Sequence, residues 1–183
     1  KLQQENLNYD FINVAVGDGI KMGPLVAAAP GKEAAWRENV AAALPYCSAI
    51  SPTAFVVPAN TIPEGVDRTD ARLVFMENLN YVADEMAKIG TRVIVEPLNP
   101  AIRENAMLTT SDETMDLLDE IGHPNLGLEY DAFHMHVTEG NMAETVQKYL
   151  PHIGNIQIAD VPGRHEPGTG SIDYDAFLGA LDK

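Results

Sequence analysis

The chain has 183 residues, of which 45% are hydrophobic, and this length and composition fit one globular domain with a sizeable core. Its net charge of -15, with only twelve lysines and arginines, argues against binding to nucleic acid or to an anionic membrane surface. No apolar run approaches the roughly 18 residues of a membrane span. The single cysteine, Cys47, cannot form an internal disulfide and fits a reducing compartment, so we expect a cytoplasmic protein.

Five short apolar runs predict the strands of a parallel sheet that is buried on both faces. They are DFINVAVG (10–17), TAFVVPA (53–59), RVIVEPLN (92–99), LGLEYDAFH (126–134) and NIQIADV (155–161). Longer amphipathic runs lie between them. This alternation predicts a single α/β domain over residues 1–183, built from repeated strand and helix units.

The amphipathic runs predict helices with recognisable starts and stops. The clearest follows Asp67 and stops at Gly90. Its apolar positions recur at three- and four-residue steps: Leu73, Met76, Leu79, Val82 and Met86. An earlier helix over 33–47 places Trp36, Val40 and Leu44 on one face, and Pro45 is expected to bend or shorten it.

Three further helices are predicted towards the carboxyl end of the chain. Two begin with capping boxes, namely Thr110 with Glu113 and Asn141 with Glu144. Pro151 is expected to end the second of them. The last helix is predicted over 174–183.

Three successive strands end with an oxygen donor, and in folds of this class the loops at the carboxyl ends of the strands build the active site. Glu96 follows Val-Ile-Val, Asp131 lies three residues before His134 at a strand end, and Gln157 lies between two isoleucines. Oxygen ligands from separate strands suit Mg2+ or Mn2+. The spacing alone leaves a structural reading open, in which Glu96 is a helix cap or surface ion pair and Gln157 is structural.

Several motifs resemble the hydroxypyruvate isomerase family, a branch of the xylose isomerase-like (β/α)8 TIM barrels. They are VEPLN (95–99), YDAFH (130–134), QIADVPGRHEPGTGSIDY (157–174), FINVAVGDG (11–19) and AAAPGKEAAWRENV (27–40). The resemblance covers essentially the whole chain, and the PGRHEPGTG loop is its most specific part. It implies a TIM-barrel fold of the α/β class.

The resemblance also implies roles for individual residues. Glu96 matches the carboxylate that binds the metal and exchanges a proton with substrate, and Asp131 and Gln157 match two further metal ligands. His134 and Arg164 match groups that hold or polarise substrate oxygens. The implied cofactor is Mg2+ or Mn2+. No role is assigned to the neighbouring loop residues 165 and 166.

The implied reaction is an aldose-ketose isomerisation, from hydroxypyruvate to tartronate semialdehyde. A base removes the proton beside the carbonyl, a cis-enediolate forms, and the proton returns to the neighbouring carbon, while a metal stabilises the negative charge. Arg164 suits the carboxylate of a small hydroxy-keto acid substrate, because a guanidinium can donate two hydrogen bonds to it.

Two departures from the family pattern put activity of this chain in question. Ser171 stands where the family usually has Glu. If the resemblance is in register, the chain covers strands 3 to 7 of an incomplete barrel, and it lacks the eighth strand, which carries the second catalytic glutamate. Open barrel edges invite pairing, so we expect a homo-oligomer or a piece of a longer protein.

Two alternatives from other classes stay open on the sequence alone. One is a catalytically inactive barrel fragment that acts as a binding or assembly module. The other is metal-dependent phosphodiester cleavage, as in endonuclease IV-like barrels. The second fits poorly, because such sites gather several histidines around zinc and a charge of -15 repels DNA.

Overall fold

Five parallel strands form the sheet and lie side by side in chain order. The structure, a computed structural model, describes residues 8–14 and 27–182. The strands are β1 (Phe11–Asn13), β2 (Ala54–Pro58), β3 (Arg92–Glu96), β4 (Leu126–Asp131) and β5 (Ile153–Gln157). The sheet is a half-barrel, which confirms the predicted incomplete TIM-barrel fold. Positions 15–17 of the first predicted strand lie outside the described residues.

Helices follow the strands, as the alternating pattern predicts. They are α1 (Glu33–Ile50), α2 (Arg68–Ala87), α3 (Ser111–Ile121), α4 (Ala132–Thr138), α5 (Met142–Tyr149) and α6 (Tyr174–Leu181), with a 3-10 turn at Leu150–His152. Among the described residues, none of these helices combines the length and apolarity that crossing a bilayer requires.

Alternation along the strands separates an outer core from an inner wall. On β2, Phe55 and Val57 belong to the large core that includes residues of the helices. Ala54 and Val56 instead form a small cluster with Ile94 of β3 on the other face. The second face is the inside of the half-barrel, and Glu96, two residues beyond Ile94, lies on it.

Helix α2 departs from the predicted pattern at one position. Leu73 is 53% exposed, and Phe75 takes the core position instead, with none of its surface exposed. Burying such a side chain stabilises the fold by about 2 kcal/mol. The predicted start is confirmed, because the Asp67 side chain accepts a hydrogen bond from the N–H of Thr69.

Helix α1 is not shortened by its internal proline. It continues through Pro45 to Ile50, so the expected shortening is wrong. Proline removes the hydrogen bond to the carbonyl four residues earlier, that of Ala41. Both Pro45 and Ala41 are exposed, so water can satisfy that carbonyl.

The predicted helix starts near residues 110 and 141 are formed in different ways. Thr110 accepts a hydrogen bond from the N–H of Glu113, as predicted, while the Glu113 carboxylate bonds to Thr109 instead of completing the box at Thr110. The side chain of Asn141 caps no backbone group and donates to the Glu144 carboxylate. Helix α5 nevertheless ends before Pro151, as expected.

Candidate active site

Glu96 and Asp131 lie at the carboxyl ends of the neighbouring strands β3 and β4. Glu96 is 7% exposed and Asp131 is 1% exposed, so both carboxylates are largely withdrawn from water. Buried carboxylates need a cation or hydrogen-bond donors to offset desolvation. The two side chains therefore define a place where positive charge is favoured.

Asp131 also ends β4 and begins the next helix. Its Oδ1 accepts the N–H of Phe133 at 2.9 Å, which is the capping contact of α4. Its Oδ2 accepts a hydrogen bond from the guanidinium of Arg164 at 2.5 Å. Because Asp131 caps a helix, His134 lies in the first turn of α4, and the prediction that the strand runs through residue 134 is wrong.

His134 faces the two carboxylates from α4. Its Nε2 lies 3.8 Å from Oε1 of Glu96 and 3.6 Å from Oδ2 of Asp131, and its side chain is 1% exposed. One potential ligand atom from each of the three residues lies within 4.8 Å of the others. Burial lowers the pKa of His134, with Arg164 acting in the same direction and Asp131 opposing it.

Glu96 has the pKa of a group that can both take and give a proton near neutrality. Burial, followed by repulsion from Asp131, raises its pKa to about 7, and attraction to Arg164 partly opposes the shift. A carboxyl group with this pKa is divided between acid and base at pH 7. Proton transfer at neutral pH is therefore within the range of this side chain.

Asn99 contacts Nδ1 of His134, the ring nitrogen that faces away from the two carboxylates. The Asn99 backbone N–H donates to Nδ1 at 3.2 Å, and the Asn99 side-chain nitrogen lies 2.9 Å from the same atom. Asn99 is itself 1% exposed. Sequence reasoning read this residue only as part of the VEPLN motif, since a partner 35 residues away gives no local signal.

Arg164 comes from the loop that follows β5. Its guanidinium lies 5.1 Å from the centre of the Phe133 ring as well as beside Asp131, while its side chain stays 44% exposed. Two contacts thus hold the group at the site, and almost half of it faces solvent. This placement suits recognition of an anion entering from outside.

Asp160 organises this loop, and sequence reasoning gave it no role. Its carboxylate accepts hydrogen bonds from the N–H groups of Val161, Gly168 and Ile172 at 2.7 to 3.1 Å. Burial opposes ionisation, but these bonds and one from Gly170 lower the pKa of Asp160 to about 2. The loop that carries Arg164 is therefore closed around a buried negative charge.

The remaining predicted residues lie around this centre. Gln157, at the end of β5, is paired in register with Asp131 and is half-buried. Its role as a metal ligand stays a prediction. Ser171 bonds to His136 and to the carbonyl of Val161. Loop residues 165 and 166 are exposed.

A further carboxylate, Glu129, lies on β4 beneath the site. It is fully buried, and neither of its oxygens has a hydrogen-bond partner among the described residues. Burial, with repulsion from Glu96 and Asp131, raises its pKa to about 8, although the nearby Gln157 amide lowers it somewhat. Next to it on β5, Asn155 donates to a carboxylate oxygen of Asp10 at 2.6 Å. The inner wall is therefore acidic well below the mouth of the half-barrel.

The fold and the site together define a barrel enzyme with its polar centre at the carboxyl ends of the strands. The sequence model of the xylose isomerase-like TIM barrel family matches residues 1–183, and the chain belongs to this family. The 2-oxo-tetronate isomerase of Cupriavidus necator is 33% identical over 182 residues, covering 100% of this chain and 70% of that protein. The hydroxypyruvate isomerase of Escherichia coli K12 is 33% identical, covering 99% and 70%.

A solved structure shares the fold over nearly the whole chain. The crystal structure described as an AP endonuclease, family 2, from Brucella melitensis superposes with a TM-score of 0.90 at 32% identity, covering 99% of this chain and 70% of that one. With isomerases matching over its whole length, the chain is an enzyme of the isomerase class.

Proposed function

We propose that the chain carries out metal-assisted aldose-ketose isomerisation of a small hydroxy-keto acid, with hydroxypyruvate as the substrate to test first. The observation that carries this proposal is the placement of Glu96, whose pKa is about 7, beside the buried Asp131 and His134. The names of the relatives, hydroxypyruvate isomerase and 2-oxo-tetronate isomerase, support the same substrate class.

Glu96 is the proposed catalytic residue. As a carboxylate it removes a proton from C3 of hydroxypyruvate, and the electron pair of the C–H bond becomes the double bond of a cis-enediolate. The same carboxyl group then returns a proton to C2, and the hydroxyl proton moves from O3 to O2, which leaves tartronate semialdehyde. A pKa near 7 lets one group act in both directions at neutral pH.

The donor set fits a divalent ion such as Mg2+ or Mn2+. Glu96 and Asp131 supply carboxylate oxygens within 4.8 Å, and Gln157 on the adjoining strand supplies a neutral oxygen at the level of Asp131. Hard cations of this kind prefer oxygen ligands. When bound, the ion would stabilise the negative charge that develops on the two substrate oxygens.

His134 and Arg164 are the proposed substrate-binding residues. The Nε2 of His134 is directed to the same space as the two carboxylates, yet it is too far from either for a hydrogen bond. It is therefore available to a substrate oxygen. Arg164 is partly exposed and can meet the substrate carboxylate with two parallel hydrogen bonds.

The second candidate function is a binding or assembly module without turnover. It is favoured by Ser171, which bonds to His136 and to the carbonyl of Val161 at a position where the family resemblance expects a glutamate. Phosphodiester cleavage is disfavoured by the charge of -15 and by the fact that His134 is the one histidine in the described group of candidate ligands.

Association between copies of the chain stays a prediction. Strands β1 and β5 form the two edges of the described sheet, and β5 is half-buried along its length. Two apolar side chains beside these edges, Tyr9 and Ile158, are 43% and 49% exposed. Light scattering behind size-exclusion chromatography tests whether the chain is a dimer or larger, and a monomer at all concentrations contradicts the prediction.

Isotope exchange tests the catalytic proposal directly. The chain is incubated with hydroxypyruvate and Mg2+ or Mn2+ in heavy water, and the carbon-bound protons are followed by NMR. We expect exchange that disappears in Glu96→Gln and persists in Glu38→Gln, a matched change at an exposed position on α1. No exchange with any metal, in a chain shown to be folded, would overturn the isomerase proposal and favour the binding module.

A further inference from the structure

The hydrogen bonds around Asn99 determine which atoms of its amide face which neighbours. The N–H of Ile102 donates to Oδ1 of Asn99 at 3.0 Å. A backbone N–H can only donate, so the atom that it meets must be the amide oxygen. The amide nitrogen is thereby turned towards His134, where it lies 2.9 Å from Nδ1.

Two donors therefore converge on one ring nitrogen of His134. Both the backbone N–H and the side-chain N–H of Asn99 point at Nδ1. A neutral imidazole carries one proton, on one of its two nitrogens. A proton on Nδ1 would face two N–H groups in a buried position, which is strongly unfavourable. The neutral ring must then carry its proton on Nε2.

We propose that Asn99 is a positioning residue, which fixes His134 as the tautomer with its proton on Nε2 and so makes it a hydrogen-bond donor to a substrate oxygen, not a metal ligand. The donor role rests on the proposed function, whereas the tautomer rests on the hydrogen bonds alone. Since Nε2 faces Glu96 and Asp131, the donated proton points into the reaction space.

This tautomer decides between two possible roles of His134, binding a metal ion and donating a hydrogen bond to substrate, which distances alone do not distinguish. By distance, His134 could join Glu96 and Asp131 around an ion. Binding an ion through Nε2 would require that nitrogen to be unprotonated, which would move the proton of the neutral ring to Nδ1, against both donors of Asn99. The structure therefore assigns ion binding to oxygen ligands and leaves His134 to polarise the substrate carbonyl or hydroxyl.

NMR of the metal-free, 15N-labelled chain at pH 8 tests the tautomer without substrate. Long-range 1H–15N spectra distinguish protonated from unprotonated ring nitrogens, and the signals of His134 are those lost in His134→Ala. We expect Nε2 protonated and Nδ1 unprotonated in the parent chain. A parent chain with the proton on Nδ1 would overturn the proposal.

Substitution of Asn99 tests whether its side chain fixes the tautomer. In Asn99→Asp a carboxylate of the same shape replaces the donor, so we expect the proton to move towards Nδ1 in more than half of the molecules. In Asn99→Ala we expect a mixture, because the backbone donor remains. If the folded variants keep the proton of His134 on Nε2, as in the parent chain, the side chain of Asn99 has no positioning role. The rate of isotope exchange should fall about 10- to 100-fold in Asn99→Asp.

Binding of Mn2+, followed by its paramagnetic resonance, tests the metal half of the proposal. We expect His134→Ala to keep its Mn2+ affinity within about threefold, while Asp131→Asn, which removes a proposed ligand, loses more than the roughly tenfold known for residues that only support a ligand. A loss in folded His134→Ala as large as that in Asp131→Asn would show that His134 coordinates the ion and would overturn the assignment. If the chain proves inactive but shows the expected tautomer, the proposed function fails and the positioning role of Asn99 stands.

Discussion

Arg164 lies 2.5 Å from the carboxylate of Asp131, so a side chain that is 44% exposed supplies the countercharge for one that is 1% exposed. The pair links the loop after β5 to the start of α4. It also means that the proposed substrate-binding group is already held against a proposed metal ligand. An ion bound to Asp131 would compete with this pair and leave the guanidinium free for a substrate anion.

Replacing Arg164 with Lys should weaken recognition of the substrate carboxylate. Lysine keeps the charge but loses the planar pair of donors, so we expect KM for hydroxypyruvate to rise about tenfold, with a smaller change in kcat. The control is dihydroxyacetone, in which an alcohol replaces the carboxylate. The variant and the parent should have the same KM for dihydroxyacetone. An equal rise in KM for both substrates would contradict carboxylate recognition by Arg164.

Glu129 should make the metal-free chain less stable as the pH rises. Its carboxyl group titrates at about 8 in the folded chain and near 4.5 when unfolded. Between these values the unfolded chain has lost the proton and the folded chain has kept it, so stability present at low pH is lost as the pH rises towards 8. We expect Glu129→Gln to remove this loss and to be more stable than the parent at pH 8 by on the order of 2 kcal/mol.

Denaturant unfolding at pH 4, 6 and 8 in the presence of a chelator measures this effect. The matched control is Glu77→Gln, at an exposed position on α2. The difference between Glu129→Gln and the parent should grow with pH, whereas Glu77→Gln should follow the parent throughout. Parallel stability curves for all three proteins would show that Glu129 keeps an ordinary pKa.

Divalent metal should stabilise the chain and release protons when it binds. An ion that binds only the folded chain adds about 2.7 kcal/mol at a hundredfold excess over its Kd. Because the pKa of Glu96 is about 7, binding of Mn2+ at pH 6 should displace close to one proton, and at pH 8 far fewer. Calorimetry in buffers of different ionisation enthalpy counts these protons. The release at pH 6 should fall by close to one proton in Glu96→Gln, and a count that is the same in the variant and the parent would contradict the raised pKa of Glu96.

Asp160 should control the order of the loop that carries Arg164. In Asp160→Asn an amide nitrogen replaces one of the two oxygens that accept the N–H groups of Val161, Gly168 and Ile172. A buried donor left unsatisfied costs about 1 to 3 kcal/mol. We therefore expect faster hydrogen exchange at these amides, at a pH where the fold stays intact, with the exchange of α2 unchanged. Protection of the loop amides equal to the parent's would show that the carboxylate is dispensable.

Much of the fold could be predicted because burial leaves a regular pattern. The apolar runs identify the five strands of the described sheet, and placing Glu96 and Asp131 at neighbouring strand ends requires only that parallel strands share an edge. The errors arise where a single side-chain contact decides, either a local cap or a core contact. Asp131 caps a helix, so His134 becomes helical, and Phe75 fills the core in place of Leu73.

The supporting residues of the site could not be predicted, for a physical reason. Asn99 reaches a ring nitrogen 35 positions away, and Glu129 differs from other glutamates only in being buried without a hydrogen-bond partner among the described residues. Neither property has a periodicity or a spacing in the chain. Asp160 is similar, since it closes a loop through backbone N–H groups, which every residue except proline offers.

The acidic inner wall has a consequence for the order of events in a catalytic cycle. Asp10, Glu96, Glu129 and Asp131 place four carboxyl groups along one face, and Arg164 is the cation paired with Asp131 among the described residues. A guanidinium held by Asp131 is not free to meet an anion, whereas a divalent cation is attracted to the ionised carboxylates. The cation should therefore load first and the hydroxy-keto acid second. With this binding order, the fraction of sites that hold the ion limits turnover when metal is scarce, and adding more substrate does not compensate.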